Sequence, residues 1–379
     1  MIHDLIVVGG GPVGVSVARA ARGLSVAMVA QERRVAATPE RFDARVYALS
    51  PGNVAFLQEL GAWQAMPPER LVPVHAMRIF GDDASKLEFD AYSAGVPELA
   101  WIVEDAILQD GLWRDLDARV FAAHCENLQV DDEKVSLRLK GKSAIAAKLV
   151  VGADGADSFV RTQAGIGATG SDYGQSAVVA NFRCERPQAN TAWQWFQRGA
   201  VLALLPLPGN HVSMVWSLPT AEAQRVSRLK DEALCREVEA AAGGELGGFE
   251  LVTPPRSYAL RRLAAARLVA PRVALAGDAG HVIHPLAGQG LNLGMQDARA
   301  LAAVLAAREP FRDPGELRLL RRYERARAGP ILAMDTMVDS LFRLFGADGG
   351  LAAQLRNSGL NLTDRLPVVK NMLMRQAMT

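Results

Sequence analysis

Only three cysteines occur in the 379 residues, Cys125, Cys184 and Cys235, far apart and odd in number. They supply neither a metal-ligand spacing nor a disulfide framework, and their scarcity favours a reducing compartment. Neither sign of charge is in excess. Lys and Arg number 42 against 41 Asp and Glu, for a net charge of +1, which excludes a global attraction to nucleic acid or an anionic membrane. The doublets Arg33-Arg34, Arg261-Arg262 and Arg321-Arg322 are expected on solvated faces. Long apolar runs are also missing. The uncharged stretch from Leu5 to Ala18 is shorter than a membrane span and broken by Gly and Pro. No bilayer crossing and no leader ahead of the first strand are expected. Cytoplasmic placement follows, with peripheral membrane contact left open. Repeats, low-complexity stretches and long linkers are absent. What remains is ordinary for a globular chain, half hydrophobic and 22% charged, and long enough for two or three domains.

Against that background, the opening "HDLIVVGGGPVGVSVARAARGLSVAMVAQERR" stands out. Ile2 to Val8 is predicted as a buried strand, Val13 to Arg22 as a helix, and Ser25 to Ala30 as a second parallel strand. Gly9, Gly11 and Gly14, with Pro12 among them, fit the dinucleotide fingerprint in its strand-turn-helix context. The first two glycines let the backbone approach a pyrophosphate, the helix end supplies N–H donors, and Gly14 allows close packing. The acid that would receive ribose hydroxyls is missing, since Ala30 ends the second strand. Glu32, two residues on, could swing back. Alternatively, Arg33 and Arg34 read a 2′-phosphate.

Two further segments carry glycine and acid together. In "KLVVGADGADSFVRTQAG" (148 to 165), a strand from Leu149 to Val151 runs into Gly152, Asp154 and Gly155, and a helix starts near Ser158. In "VALAGDAGHVIHPLAGQGLNLG" (273 to 294), a strand from Val273 to Ala276 ends at Gly277-Asp278, and a helix follows from about Leu291 to Ala307. Glycine is needed where a planar ring edge or a phosphate comes against backbone N–H groups. A helix starting near Leu291 would point its positive end at such a ligand.

These three elements, in this order, resemble the single-component FAD-dependent aromatic hydroxylases. The resemblance implies an α/β chain: a Rossmann-like FAD-binding domain, an interleaved β-sheet substrate domain and C-terminal helices. The expected division gives residues 1–75, 100–175 and 265–330 to FAD, 76–99 and 176–264 to substrate, and 331–379 to the helical region. It implies FAD diphosphate on the N-terminal glycines, Asp154 near flavin and pyridine nucleotide, and Asp278 on the ribityl hydroxyls. Gly277 would admit the cofactor, and the backbone of Gly288, Gln289, Gly290, Leu291 and Asn292 would meet the ring. His284 and Pro285 would lie beside it, Pro285 shaping the oxygen pocket. With Gly288 and Gln289 they form the expected catalytic set.

A narrower resemblance, to the ubiquinone-biosynthesis hydroxylases, covers most of the chain. "FDARVYALSPGNVAFLQELGAW" (42 to 63) places Arg45 beside the flavin, and "AWIVEDAILQDGLW" (100 to 113) adds Glu104 to the cofactor side. "GAVLALLPLPGNHVSMVWSLP" (199 to 219) is similar to their substrate-sheet hairpin, and residues 355 to 378 to their C-terminal helix. The implied reaction is hydroxylation of a polyprenylated phenol by O2 through a flavin C4a-hydroperoxide, with NAD(P)H as reductant and contact with other ubiquinone-biosynthesis proteins. The alternatives are a non-catalytic flavin-binding accessory subunit and an FAD-dependent dehydrogenase. The chain departs from the family pattern at Ala30, at Asp105-Ala106 for Asn-Arg, at Gln194-Trp195 for Glu-Arg and at Gly280 for alanine.

On the substrate side, residues 176 to 219 are predicted as alternating strands turning at 206 to 210. Trp193, Trp195, Phe196, Leu202, Leu204, Met214 and Trp216 fill one or both faces. Leu204 and Trp216 are the candidates for an apolar pocket over the flavin. "WQWF" lacks the Ile-Pro continuation of flavin halogenases. His281 and His284 have no partners at ligand spacing, so no metal site is expected. Met334, Met337, Leu341, Leu344 and Phe345 form an apolar helical stripe of core type. Leu366 to Met378 is amphipathic and could pack internally, touch a membrane or bind a partner helix.

Overall fold

The computed structural model describes residues 2–30, 42–81, 85–197, 199–285 and 288–346, the last three by backbone alone. Glu32, Arg33, Arg34 and the segment from 347 to the C-terminus lie outside the described residues, as do the side chains of Leu344 and Phe345.

The apolar strand Ile2–Val8 sits at the centre of the first sheet, paired in parallel with Val26–Val29 and Ile145–Gly152. Val273–Leu275 adds in parallel beyond Ile145–Gly152, and Arg119–Phe121 beyond Val26–Val29. Strands buried on both faces read as unbroken apolar runs, and "LIVV", "VAMV" and "LVVG" are such runs. All three glycine segments leave the same carboxyl-terminal edge of this sheet, where open α/β sheets hold their ligands.

The second sheet is wider. In spatial order it runs His281–Val282, Arg256–Ala265, Ala168–Cys184, His211–Pro219, Ala200–Leu207, Thr191–Gln197, Ala76–Phe80 and Lys86–Asp90. One face is covered by the helices Thr220–Val226 and Asp231–Ala241, whose Val226, Leu234 and Val238 join Phe182, Leu202 and Met214 in one core. On the other face, Asn181 Nδ2 donates to the Asp43 carbonyl at 2.8 Å. A small antiparallel sheet of Val46–Leu49, Ala100–Glu104 and Val72–Val74 links the two layers.

Two features cut across the expected division. Ala168–Cys184 is one strand of 17 residues running through position 175. The closing helix Leu317–Gly346 continues through position 330 despite Pro330 inside it. Among the described residues, no helix is long and apolar enough to cross a membrane.

Candidate functional site

The fingerprint glycines divide by task. Gly9 has φ of +117°. A Cβ added to Gly9 would lie 2.1 Å from the Ala153 carbonyl oxygen, and one on Gly14 would lie 2.1 Å from that of Gly9. These two glycines let strand, loop and helix close on one another. Gly10 abuts Ala30 and Trp113, whose indole donates to the Gly10 carbonyl at 3.1 Å. At Gly11, by contrast, an added Cβ would meet nothing within 4 Å. Gly11 is the N-cap of the helix Pro12–Ala20, and no side chain caps that helix. Its first-turn N–H groups therefore face open space at the positive end of the helix, the requirement for holding an anion.

The second glycine-rich segment divides in the same way. Gly277 has φ of +61°, and its added Cβ would press on Val13 at 3.1 Å. Gly294 would meet Val13 at 2.6 Å, and Gly280 would meet Leu268 at 2.7 Å. These positions need glycine because two helices and a strand end converge there. That corrects the expectation that Gly277 opens the backbone to a ligand. Gly290 does open, with nothing within 4 Å of an added Cβ. It begins the helix Gly290–Ala306, whose N-cap Gln289 makes no side-chain cap bond. Pro285, Gly288, Gln289 and Leu291 are accessible around it. The Asn292 side chain is fully engaged within the protein. Its Oδ1 accepts from Ser50 N–H at 3.0 Å and Asn53 Nδ2 at 2.8 Å, and its Nδ2 donates to Ala48 O at 2.9 Å and to Gln289 Oε1 at 3.1 Å. Asn292 thus offers this face only its backbone.

Charge gathers between the two helix ends. Asp278 lies in the turn Gly277–Ala279, open to solvent at its tip. Its carboxylate has no hydrogen-bond partner among the described residues. The protein mass around the cleft pushes its pKa up, opposed by the positive charges of His281, Arg45 and Arg261. Arg45 is likewise accessible, lies 5.3 Å from the Tyr47 ring centre and stays firmly charged. Burial opposes that charge, and Tyr47, Asp105 and Asp278 outweigh it. Asp154 is half-buried and braces its own loop, accepting from Ser158 Oγ at 2.5 Å and Val160 N–H at 3.1 Å. Arg161 ties that loop to the Asp278 turn through the Ala279 carbonyl at 2.9 Å.

Glu104 requires a correction. It is 0% exposed, and both its oxygens are used. Arg70 reaches it through Nε and NH2 at 2.8 Å, and Asp43 N–H donates at 2.6 Å. Glu104 therefore positions the segment carrying Arg45 and cannot itself touch a ligand in the cleft. Sequence pattern gave no sign of its pairing with Arg70.

Leu204 and Trp216 are corrected for a different reason. Both are buried, 0% and 6% exposed, in the core under the covering helices. Alternation along the strands puts their neighbours on the cleft face. There the register aligns Gln194, Ala203, Val215, Val179 and Arg256 in one row across five strands. A second row aligns Phe196, Val201, Ser217, Ala177 and Tyr258. Phe196 and Val201 meet Met334, Leu341 and Phe342 of the closing helix, while Met337, expected in that stripe, is 38% exposed.

The two histidines have separate surroundings. His281 Nε2 lies 2.6 Å from Asp297. His284 is 0% exposed, 3.2 Å from Gln175 Oε1, with the rings of Tyr173 and Phe342 against it. Burial lowers its pKa from 6.5 to about 4, so it is neutral near pH 7 and enclosed. It does not itself reach the cleft, unlike the accessible Pro285 beside it in sequence.

Two uncapped helix ends, open space at Gly11 and Gly290, and an unpartnered carboxylate between them suit a long ligand with a diphosphate, hydroxyl groups and a hydrogen-bonding ring. FAD has those parts. Together the fold and site define an FAD-binding flavoprotein. The FAD binding domain family matches residues 3–334. The 3-demethoxyubiquinol 3-hydroxylase of Escherichia coli K12 is 32% identical, covering 99% of this chain and 98% of that protein. The ubiquinone hydroxylase UbiL of Rhodospirillum rubrum is 34% identical, over 100% of this chain and 90% of that one. Among solved structures, p-nitrophenol 4-monooxygenase PnpA from Pseudomonas putida DLL-E4 shares the fold, with a TM-score of 0.80 at 20% identity over 100% of this chain and 98% of that one. The chain belongs to the FAD-dependent ubiquinone-biosynthesis hydroxylase family. It is an FAD-dependent aromatic-ring monooxygenase.

Proposed function

We propose that the protein hydroxylates the ring of a polyprenylated phenol in ubiquinone biosynthesis, with O2 as the oxygen source and NAD(P)H as reductant. The observation that carries this reading is the row of Ala203, Val215 and Val179, small and apolar, on the face of the second sheet turned away from its covering helices, taken together with the two open helix ends. A flat apolar ring would lie between them. Reduced FAD, when bound, supplies the electrons and activates oxygen. The chain itself holds, orients and excludes water. First-turn N–H groups after Gly11 would hold the diphosphate, and Asp278 would accept ribityl hydroxyls. N–H groups from Gly290 to Asn292 would stabilise negative charge on the reduced ring. Arg45 would balance charge near Asp278, while Pro285, Gly288 and Gln289 would border the reacting region. The phenol's long tail would follow Phe196, Val201, Met334, Leu341 and Phe342. Contact with a membrane surface or other ubiquinone-biosynthesis proteins would deliver so apolar a substrate.

The test is turnover of the FAD-loaded protein with a polyprenylated phenol, NAD(P)H and ¹⁸O2. A product gaining one labelled oxygen atom supports the reading. Oxidised product without label would indicate a dehydrogenase. Absence of turnover, in protein that binds FAD and is reduced normally, would indicate an accessory subunit. Either of these results would overturn the proposal.

A further inference from the structure

Behind the Asp278 turn lies a closed ionic cluster. Asp297, in the helix Gly290–Ala306, is 0% exposed. Its Oδ2 accepts from Gly277 N–H at 2.9 Å and lies 2.6 Å from His281 Nε2, while its Oδ1 accepts from Arg327 Nε at 2.6 Å. Arg327 comes from the closing helix and also donates to the Leu293 carbonyl at 3.3 Å. Enclosing three ionisable side chains adds little stability over apolar residues of the same size. Their arrangement is explained better by what they hold: the backbone and the electrostatics of the adjacent turn.

We infer that Asp297, fixed by Arg327, is a positioning residue for FAD binding, acting on the Asp278 turn through the Gly277 N–H and through the His281 ring that it holds. This rests on the reading of Asp278 as a ribityl ligand. Burial opposes a charge on His281, but Asp297 outweighs it and raises the ring's pKa. Burial also pushes the Asp278 carboxyl up, and His281 is the first of the charges opposing that rise. The other charged groups facing this turn are Arg45 from the segment before Val46–Leu49, Arg261 from Arg256–Ala265, and Arg161 from Phe159–Gln163. The tyrosine Tyr323 packs alongside, its hydroxyl on the Leu275 carbonyl at 2.7 Å. An ionised Asp278 accepts hydrogen bonds on both oxygens, one from each of two hydroxyls, whereas protonation turns one oxygen into a donor. With a neutral His281 it would lose that charge at a higher pH.

The experiment measures the FAD dissociation constant across a pH series, by flavin fluorescence on dilution of the loaded protein. In Asp297→Asn and in His281→Gln, the ratio of the constants at about pH 5 and about pH 8 is expected to rise about tenfold over the parent's. Uniform weakening at every pH, or no weakening, in either variant would overturn the inference. If Asp297→Asn fails to fold, His281→Gln decides alone. Asp278→Asn separates the two layers of the argument. Weak binding with no acid limb supports the Asp278 reading, whereas binding like the parent's would show that reading itself to be wrong.

Discussion

Leu204 and Ala203 are adjacent in sequence and lie on opposite faces of the second sheet, so truncating one and enlarging the other separates core from cleft. Leu204 is 0% exposed beneath the covering helices. Leu204→Ala removes three carbons there, and the transfer and cavity terms together cost about 2–5 kcal/mol. That lowers the melting temperature by roughly 3–6 °C in a chain of this size. Substrate affinity of the folded protein should change by less than about twofold, because the lost atoms face away from the cleft. Ala203→Leu is the reverse case. Ala203 is half-buried beside Val215 and Gln194, on the face turned away from the helices Thr220–Val226 and Asp231–Ala241. Three added carbons there can stand in the cleft at a stability cost within about 1 kcal/mol, but they occupy the space proposed for the ring. Phenol affinity should fall at least about tenfold, equivalent to about 1.4 kcal/mol. Thermal melts followed by flavin fluorescence, and substrate titrations followed by the flavin spectrum, measure both quantities. Weaker phenol binding in Leu204→Ala at unchanged melting temperature, or parental phenol binding in Ala203→Leu, would refute this assignment of the two faces.

Other substitutions test the remaining assignments. Asp278→Ala should give colourless protein on purification, and full flavin retention measured by absorbance would refute the ribityl role. Gly11→Ala should fold like the parent yet bind FAD at least about tenfold more weakly, since its Cβ enters open space. Gly14→Ala should instead lower thermal stability before any FAD is added, because its Cβ would collide with the Gly9 carbonyl; equal melting of the two apoproteins would contradict that division. His284 supplies a pH test. Its pKa falls from 6.5 to about 4 on folding, so the unfolded chain takes up a proton between those values and the folded chain does not. Stability should therefore drop by up to about 3 kcal/mol as pH falls through that window. His284→Gln should remove this part of the acid slope in urea titrations, and an unchanged slope would exclude the histidine as its source.

Sequence made the first sheet and its edge legible because local rules determine them. An apolar run into Gly9 and a helix after Pro12 need no distant partner to be recognised, and Ile2–Val8 and Pro12–Ala20 lie close to where pattern put them. What each glycine faces was another matter. Gly277 and Gly11 look alike in a motif, yet one meets Val13 and the other meets open space, a difference set by how two helices converge. Face assignment failed for a related reason. Both faces of the strands Ala200–Leu207 and His211–Pro219 carry apolar residues, so alternation separates Ala203 from Leu204 without saying which face the helices cover. Glu104 with Arg70 and Asp297 with Arg327 were hidden because the partners are 34 and 30 residues apart, and charged residues ordinarily read as solvated. The same separation gives the Asp297 cluster its reach. A carboxylate tied to the closing helix makes the geometry of the Asp278 turn depend on how that helix docks, so a change at Arg327 should register first in FAD affinity.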